Sequence, residues 1–320
     1  MGFDRNAADD QAFGHKPVLL DECLEALDIK PEGIYLDGTL GRAGHSLEIA
    51  KRLTTGRLIC LDRDETAIEA AKIRLADYKD RVTLVHSNFS RIADVLRELD
   101  IGGVDGMLFD LGVSSPQLDE ADRGFSYMHD APLDMRMDRT AALTARDVVN
   151  DWSYEDLRRI LFEYGEERYA PAIAKAIVSR RQESPIETTG QLVGVIRGAM
   201  PSAALREKQH PAKRSFQAIR IAVNDELGEL PPMLKGAAEL LHPGGRLAVI
   251  SFHSLEDRII KKTLQELATG CTCPPNFPVC VCGKKPKMKL VSRKPIVAGE
   301  AELVYNPRAR SAKLRVAEKL

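Results

Sequence analysis

The chain has 320 residues, enough for one large domain or two modest ones. Hydrophobic residues make up 44% and charged residues 29% of it, which excludes a disordered chain and fits a globular protein. No apolar run approaches the roughly 18 residues of a membrane-spanning helix, and residues 1–10 contain charges but no apolar stretch typical of a secretion signal. These features predict a cytoplasmic protein without a membrane partner.

The net charge of −1 conceals an asymmetry. Residues 284–320 contain eleven Lys and Arg against three Asp and Glu, so the rest of the chain is acidic. A basic tail on an acidic body favours an anionic partner such as a nucleic acid. A solvated basic surface is the alternative interpretation.

Strand and helix patterns alternate along the chain. Nearly continuous apolar runs such as 58–61 are typical of parallel strands buried on both faces. Alternating strands and helices predict a doubly wound α/β fold with a mostly parallel sheet, which two further strands near 288–293 and 311–318 would extend to seven. The first five predicted strands are Ile34–Asp37, Arg57–Asp62, Val82–His86, Val104–Asp110 and 246–252.

About 135 residues separate the fourth and fifth strands, whereas a whole strand–helix–strand unit needs roughly 30. Residues 215–241 can supply the crossover helix, and apolar residues at helical spacing between 117 and 214 predict an inserted helical subdomain. We therefore expect a ligand-binding domain of residues 1–116 and 215–320, and a substrate-recognition insertion of residues 117–214. After the fifth strand, Ser254 and Asp257 match the capping pattern of a helix over 255–267.

A glycine-rich turn, DGTLGRAGH at 37–45, follows the first strand. Glycines at such a turn let the backbone approach a ligand closely. No Gly-Lys-Ser/Thr follows, which argues against a nucleotide triphosphatase, and Leu40 replaces the second glycine of the dinucleotide fingerprint. A purely structural turn remains an alternative for this pattern alone.

Acidic residues end the second and fourth strands. Asp62 can bind both ribose hydroxyls of an adenosyl group, and Phe89, after the third strand, could contact an adenine or pack in the core. Asp110 suits a sulfonium cation or a substrate amine. Because S-adenosylmethionine is cationic and lacks a pyrophosphate, the acidic start of the turn at Asp37 favours it over NAD.

Several long motifs resemble the RsmH/MraW family of 16S ribosomal RNA methyltransferases. The similarity runs from about His15 to the C-terminus. It is carried by HKPVLL at 15–20, DGTLGRAGH at 37–45, DLGVSSPQ at 110–117, RGFS at 123–126, PLDMRMD at 132–138, SFHSLEDR at 251–258 and NPRARS at 306–311.

The resemblance implies a class I, Rossmann-like methyltransferase with an inserted helical subdomain. It implies methylation of the N4 amine of a cytosine in the decoding region of the small ribosomal subunit, with S-adenosylmethionine as cofactor. Ala43 stands where many members have glycine, and a solvent-facing helix start is the alternative for His45. The expected cofactor contacts are Gly41, Ala43, Gly44, His45, Asp62, Phe89, Asp110 and Gln117.

Asp110 is the first candidate to accept a proton from the target amine. His253, with Ser254 or Asp257, follows the fifth strand and is expected near the substrate, although capping explains these residues equally well. The Asp/Asn-Pro-Pro-Tyr/Phe motif of other amino-methyltransferases is absent, since Leu111 and Gly112 follow the aspartate. The predicted RNA contacts are Lys208, Lys213, Arg214, Arg308, Arg310, Lys313 and Arg315.

Four of the six cysteines form two Cys-x-Cys pairs, Cys271 with Cys273 and Cys280 with Cys282. Four thiolates could hold zinc tetrahedrally. Zinc sites usually have two residues within each pair, so a metal-free thiol loop is the favoured interpretation. Cys23 and Cys60 lie in apolar patterns and are predicted to be core residues.

Three other functions compete with this prediction. An NAD-linked oxidoreductase lacks support because no hydride-transfer constellation is evident. A non-catalytic RNA-binding assembly factor would not need the intact turn and carboxylates. A methyltransferase acting on another RNA, on protein or on a small molecule would differ only in its substrate. The basic tail favours a nucleic acid as that substrate. The oligomeric state is left open by the sequence.

Overall fold

The computed structural model describes residues 16–274, 279 and 281–320. The chain divides into two compact units, the first extending to Gly112 and resuming at Leu227, the second spanning Val113–Glu226. No helix within the described ranges is both long and apolar enough to cross a membrane.

A seven-stranded sheet forms the centre of the first unit, in the order β3-β2-β1-β4-β5-β7-β6. The neighbours from β3 to β5 are parallel, whereas β7 runs antiparallel to both β5 and β6. The predicted mostly parallel α/β fold is confirmed. The strands are β1 Ile34–Asp37, β2 Arg57–Asp62, β3 Val82–His86, β4 Val104–Asp110, β5 Leu241–Ser251, β6 Met288–Leu290 and β7 Lys313–Lys319.

Helices account for most of the remaining regular structure. In chain order they are α1 Leu20–Leu27, α2 Gly44–Arg52, α3 Glu65–Arg74, α4 Ile92–Glu98, α5 Ser115–Asp119, α6 Ala145–Asp151, α7 Tyr154–Glu163, α8 Ala170–Glu183, α9 Thr189–Ala199, α10 Ser202–Leu205, α11 Lys213–Asn224, α12 Leu230–Leu240, α13 Ser254–Ala268 and α14 Glu300–Tyr305. Short 3₁₀ turns lie at Ala76–Tyr78, Phe89–Arg91, Ala121–Arg123 and Pro307–Ser311.

Apolar side chains cover both faces of the sheet. One face packs against α4, α12 and α13, and the other against α1, α2 and α3. In β2, Ile59 and Leu61 point to the first cluster and Leu58 and Cys60 to the second, because side chains alternate along a strand. The continuous apolar run of β2 is thus explained by burial on both faces.

The second unit is helical and has its own apolar core. The predicted stripes of α7, α8 and α9 are buried there, including Leu157, Ile173 and Leu192. Its bounds extend four residues before and twelve beyond the expected 117–214. Helix α11 contributes Phe216 and Ile219 to this core. The helix that directly precedes β5 is therefore α12 and not α11.

Local details differ from the predictions in the C-terminal part. Strand β5 begins at Leu241, which pairs with Val104 before a register shift. Strand β7 begins at Lys313 because Ser311 ends a 3₁₀ turn. The expected cap of α13 by Ser254 and Asp257 is wrong, since His253 is the N-cap residue and Glu256 completes the capping box.

Candidate active site

The turn after β1 is built around the buried carboxylate of Asp37. Its Oδ1 accepts a hydrogen bond from the Thr39 amide at 3.1 Å, and its Oδ2 accepts one from the Ser46 hydroxyl at 2.6 Å. Burial raises the pKa of Asp37 from 3.8 to about 6, against the lowering effect of these bonds. The carboxylate therefore ties the start of the turn to helix α2.

Small residues allow the turn to pass close to its surroundings. A Cβ on Gly38 would stand 2.2 Å from the Phe109 ring, and one on Gly44 would stand 2.4 Å from Cγ of Pro17. Gly41 and Ala43 have φ of +50° and 57°, in the left-handed region that favours glycine. The fully buried Ala43 methyl accepts this conformation.

Asp62, at the carboxyl end of β2, is held by two backbone amides. Oδ2 accepts from Gly41 at 2.8 Å, and Oδ1 accepts from Asp64 at 2.8 Å. Burial nevertheless raises the pKa of Asp62 above its usual value. Each carboxylate oxygen can accept more than one hydrogen bond, so this oriented group can also accept from a ligand diol.

His45 and Asp110 lie side by side at the carboxyl end of β4. Nε2 of His45 is 3.0 Å from the Val18 carbonyl oxygen, and its Nδ1 is 3.8 Å from Oδ2 of Asp110. Burial lowers the pKa of His45 to about 4, so the ring is neutral near pH 7. With Nε2 donating to Val18, the unprotonated Nδ1 faces the carboxyl group, and the solvent-facing alternative for His45 is wrong.

Asp110 has an unsatisfied buried atom. Its Oδ1 is shielded from solvent and has no hydrogen-bond partner within the described part of the chain. Its backbone amide donates to Oγ1 of Thr39 at 2.5 Å, which fixes it beside the turn. Burial, followed by the charges of Asp37 and Glu256, raises the pKa of Asp110 well above its usual value. Such a group is suited to accept a proton or to face a cation.

Phe89 follows β3 and is buried. Its ring meets that of Phe109 edge-on, with centroids 6.0 Å apart and planes at 79°, and Arg63 lies over it at 5.9 Å. Core packing therefore accounts for Phe89, and its contact with an adenine stays a prediction. Nearby, Nδ2 of Asn88 donates to Oε1 of Glu229 at 2.5 Å.

The carboxyl end of β5 leads into the start of α13. This end of β5 lies beside the end of β4, because the amide of Leu111, the residue after Asp110, donates to the Ile250 carbonyl at 3.1 Å. His253 caps α13, its Nδ1 lying 3.4 Å from the Glu256 amide and its Nε2 lying 3.2 Å from Oε1 of Glu256. The capping role of His253 is present, and its predicted role near the substrate stays a prediction.

Sequence reasoning missed Glu256. Only 2% of this residue is exposed, and its Oε2 accepts from the amides of Phe252 and His253 at 2.8 and 3.2 Å. The glutamate three residues after an N-cap residue was the available signal. Thr39 and Ser46 were also missed, since no spacing rule marks hydroxyls that orient buried carboxylates.

The predicted RNA-binding residues fall into separate environments. Arg308 and Arg310 lie exposed on a 3₁₀ turn. Arg315 instead donates to Oδ1 of Asp257 at 2.6 Å, and Lys313 donates to Oδ2 at 3.2 Å. The ion pair buries most of the Arg315 side chain, and the RNA contacts of Arg315 and Lys313 stay predictions.

Four predicted contacts lie in the second unit. Gln117 is buried there, and its Oε1 accepts from the Ser114 amide at 3.0 Å, which completes a capping box. Lys213 and Arg214 are exposed at the start of α11, where Arg214 donates to the Glu166 carbonyl at 3.2 Å. Their cofactor and RNA contacts stay predictions, as does that of the exposed Lys208.

The cysteines divide as predicted into core and cluster. Cys23 and Cys60 are fully buried. Sulfur atoms of Cys271, Cys273 and Cys282 lie within 4.8 Å of one another. Cys280 lies outside the described residues.

The site in the first unit fits S-adenosylmethionine. The carboxyl ends of β1, β2 and β4 bring together Asp37, Asp62 and Asp110, and the Oδ1 atom of Asp110 is left without a partner among the described residues. Carboxylates there suit a sulfonium cation and a ribose diol, whereas a pyrophosphate would be repelled. Gly41, Ala43, Gly44 and His45 form the adjoining wall.

The sheet order, the antiparallel β7 and this carboxylate-lined site define a class I, Rossmann-like methyltransferase. Comparison with known sequences identifies the family within this class of methyltransferases. The sequence model of the MraW methylase family matches residues 12–320, and the chain belongs to this family.

Three relatives extend the comparison, each named ribosomal RNA small subunit methyltransferase H. The protein of Brevibacillus brevis is 57% identical over 97% of this chain and 99% of its own length. That of Symbiobacterium thermophilum is 59% identical over 97% and 98%, and that of a Paenibacillus species is 58% identical over 96% and 100%. A solved rRNA methylase from Streptococcus thermophilus is only 12% identical, with a TM-score of 0.41 over 94% of this chain and 93% of its own, too weak a likeness to support an inference.

Proposed function

We propose that this protein transfers a methyl group from S-adenosylmethionine to the N4 amine of a cytosine in 16S ribosomal RNA, acting on the small ribosomal subunit in the cytoplasm. The relatives at 57–59% identity, matched over nearly their whole lengths, support the substrate. The buried and unpartnered Oδ1 of Asp110, beside a loop suited to the cofactor, is the structural observation that carries the proposal.

The cofactor, when bound, supplies an electrophilic methyl group on a sulfonium centre. Asp62 would hold the ribose hydroxyls, because two amides already orient its carboxylate. Gly41, Ala43, Gly44 and His45 would line the remaining wall, and Asp37 and Asp110 would face the positive charge. A cation placed there would lower the pKa of both carboxyl groups and favour their ionised forms.

Asp110 would also act on the target amine. The lone pair of a cytosine N4 amine is delocalised into the ring, so the amine is a weak nucleophile. A carboxylate that accepts an N–H hydrogen bond raises the electron density on nitrogen and can take the proton released after transfer. Burial raises the pKa of Asp110 in the cofactor-free protein, and the sulfonium charge of the cofactor would favour the carboxylate form that this role needs.

The RNA must be bound with its target base accessible. A cytosine within a helix would have to swing out of its stack to reach such a site. Of the predicted RNA contacts in the first unit, Arg308 and Arg310 are exposed and suit phosphate contacts, whereas Arg315 is engaged by Asp257. Lys213 and Arg214 supply positive charge on the second unit.

The proposal is tested with small subunits from cells that lack this methylation. They are incubated with the purified protein and isotope-labelled S-adenosylmethionine, and the RNA is digested to nucleosides for mass spectrometry. Labelled N4-methylcytidine is the expected product, with free 16S RNA assayed in parallel. Cofactor binding without label in any RNA nucleoside would refute the RNA substrate.

A further inference from the structure

The loop between α13 and β6 is closed at its base. The Lys287 amide donates to the Leu267 carbonyl at 2.8 Å. Gly270 lies against Pro286, since a Cβ there would stand 3.3 Å from Cδ of the proline. Both ends of the loop are therefore held side by side, at a place remote in sequence from the carboxylates of the active site.

Three cysteine sulfurs converge above this base. Sγ of Cys271 and Sγ of Cys282 are 3.6 Å apart, and Sγ of Cys273 lies within 4.8 Å of both. A disulfide requires about 2.05 Å between its sulfurs. Two thiolates bound to one tetrahedral zinc ion, each at about 2.3 Å, stand about 3.8 Å apart. The observed spacing resembles that of metal ligands and not that of a bonded sulfur pair.

Backbone amides surround these sulfurs. The Cys273 amide donates to Sγ of Cys271 at 3.4 Å, and the amides of Thr272 and Lys284 donate to Sγ of Cys282. Amide hydrogen bonds to sulfur stabilise thiolates and orient them, as outer-shell groups do at metal sites. The loop thus provides both ligands and their supporting donors.

We propose that Cys271, Cys273 and Cys282 bind one zinc ion, with a donor outside these three completing the tetrahedron. Thiolate sulfur selects zinc over magnesium or calcium. The ion would join the two halves of a loop in which two of the described apolar side chains, Val279 and Val281, are 70% and 74% exposed. Zinc coordination would supply the cross-link that packing does not, in a structural and not a catalytic role.

The test measures metal directly in the full-length protein, purified under reducing conditions without chelator. We expect about one zinc per chain by mass spectrometry of the metal. Replacing zinc by cobalt(II) should produce the visible absorption of a tetrahedral thiolate complex. Cys271→Ser, Cys273→Ser and Cys282→Ser should each reduce the zinc content, while Thr272→Ala, a change between two ligands, should retain it.

The wild-type protein keeps the proposal open to refutation even if a variant does not fold. Wild-type protein that contains no zinc and gives no tetrahedral cobalt spectrum on titration would overturn it. The proposal would also be overturned if thiol counting and mass spectrometry showed a disulfide between two of these cysteines in protein kept under reducing conditions. Because metal content is measured without RNA or S-adenosylmethionine, these outcomes are independent of the proposed methyl transfer.

Discussion

At the scale of single residues, Asp62 joins the glycine-rich turn to the end of β2. The change Asp62→Asn removes the negative charge. It also replaces one acceptor oxygen by an NH2 group, which cannot accept the hydrogen bond that a backbone N–H donates there. Losing a charged hydrogen-bond acceptor costs about 1.5–3 kcal/mol, so the affinity for S-adenosylmethionine should fall by about 10- to 150-fold. Isothermal titration calorimetry measures this change.

The control for Asp62→Asn is Asp77→Asn, the same change at an exposed residue on a 3₁₀ turn. Asp77→Asn should leave the affinity unchanged. Equal affinities for the two variants would contradict the assigned role of Asp62.

Asp37 makes a pH-dependent contribution to stability. Its pKa rises from 3.8 to about 6 on folding, so the folded state binds the proton more tightly. This contribution is present at acidic pH and is lost as the pH rises from about 4 through about 6. Asp37→Asn cannot ionise, and its stability relative to wild type should increase by roughly 2 kcal/mol between about pH 4.5 and about pH 7.

Urea unfolding of the cofactor-free proteins at the two pH values tests this prediction. The comparison is the difference between the two unfolding free energies, which cancels groups common to both proteins. An identical difference at both pH values would show that Asp37 has an ordinary pKa in the folded state.

At the scale of elements, the start of α2 requires glycine against Pro17. A Cβ on Gly44 would stand 2.4 Å from Cγ of Pro17, so Gly44→Ala should lower the free energy of unfolding by about 1–3 kcal/mol. Gly236→Ala, in α12, is the matched control, because its Cβ would meet Ile92 at an ordinary 3.6 Å. The control should gain up to about 1 kcal/mol from helix propensity. Equal unfolding free energies for the two variants would refute the clash.

The ion pair of Asp257 joins α13 to β7. Its carboxylate accepts from Arg315 and Lys313, and little of the Asp257 or Arg315 side chain is exposed. Asp257→Asn leaves Arg315 largely buried without its counterion and should cost about 2 kcal/mol by urea unfolding. Glu69→Gln breaks the exposed pair with Lys72 and should cost under about 0.5 kcal/mol. A similar small cost for both changes would mean that the buried pair contributes no stability.

Element boundaries show what the sequence can and cannot predict. The strands β1 to β4 were predictable to the residue, because each is a short apolar run ended by a turn or a polar residue. Helix α11 was predicted to pack on the sheet, but it packs in the core of the second unit. An amphipathic pattern shows that one face of a helix is buried and does not show against which apolar surface. The His253 cap and the Asp257–Arg315 pair depend on contacts over three and fifty-eight residues, and only the first is visible as a local pattern.

At the scale of the whole molecule, the sequence predicted the mostly parallel sheet, whereas the roles of the site carboxylates stay predictions. Parallel strands bring their carboxyl ends to one edge, which is why Asp37, Asp62 and Asp110 could be grouped without coordinates. The unpartnered Oδ1 of Asp110 and the convergence of three cysteine sulfurs were not predictable. Both depend on side-chain positions that no spacing rule determines.

The central claim is that Asp110 promotes methyl transfer to a cytosine amine. Its most direct test is the single-turnover rate of transfer to unmethylated small subunits by wild type and Asp110→Asn, with cofactor affinity measured separately. Loss of a proton acceptor should lower the rate at saturating S-adenosylmethionine by about 100-fold or more, beyond any loss of affinity for the cofactor. An Asp110→Asn enzyme that forms N4-methylcytidine at the wild-type rate would contradict the account.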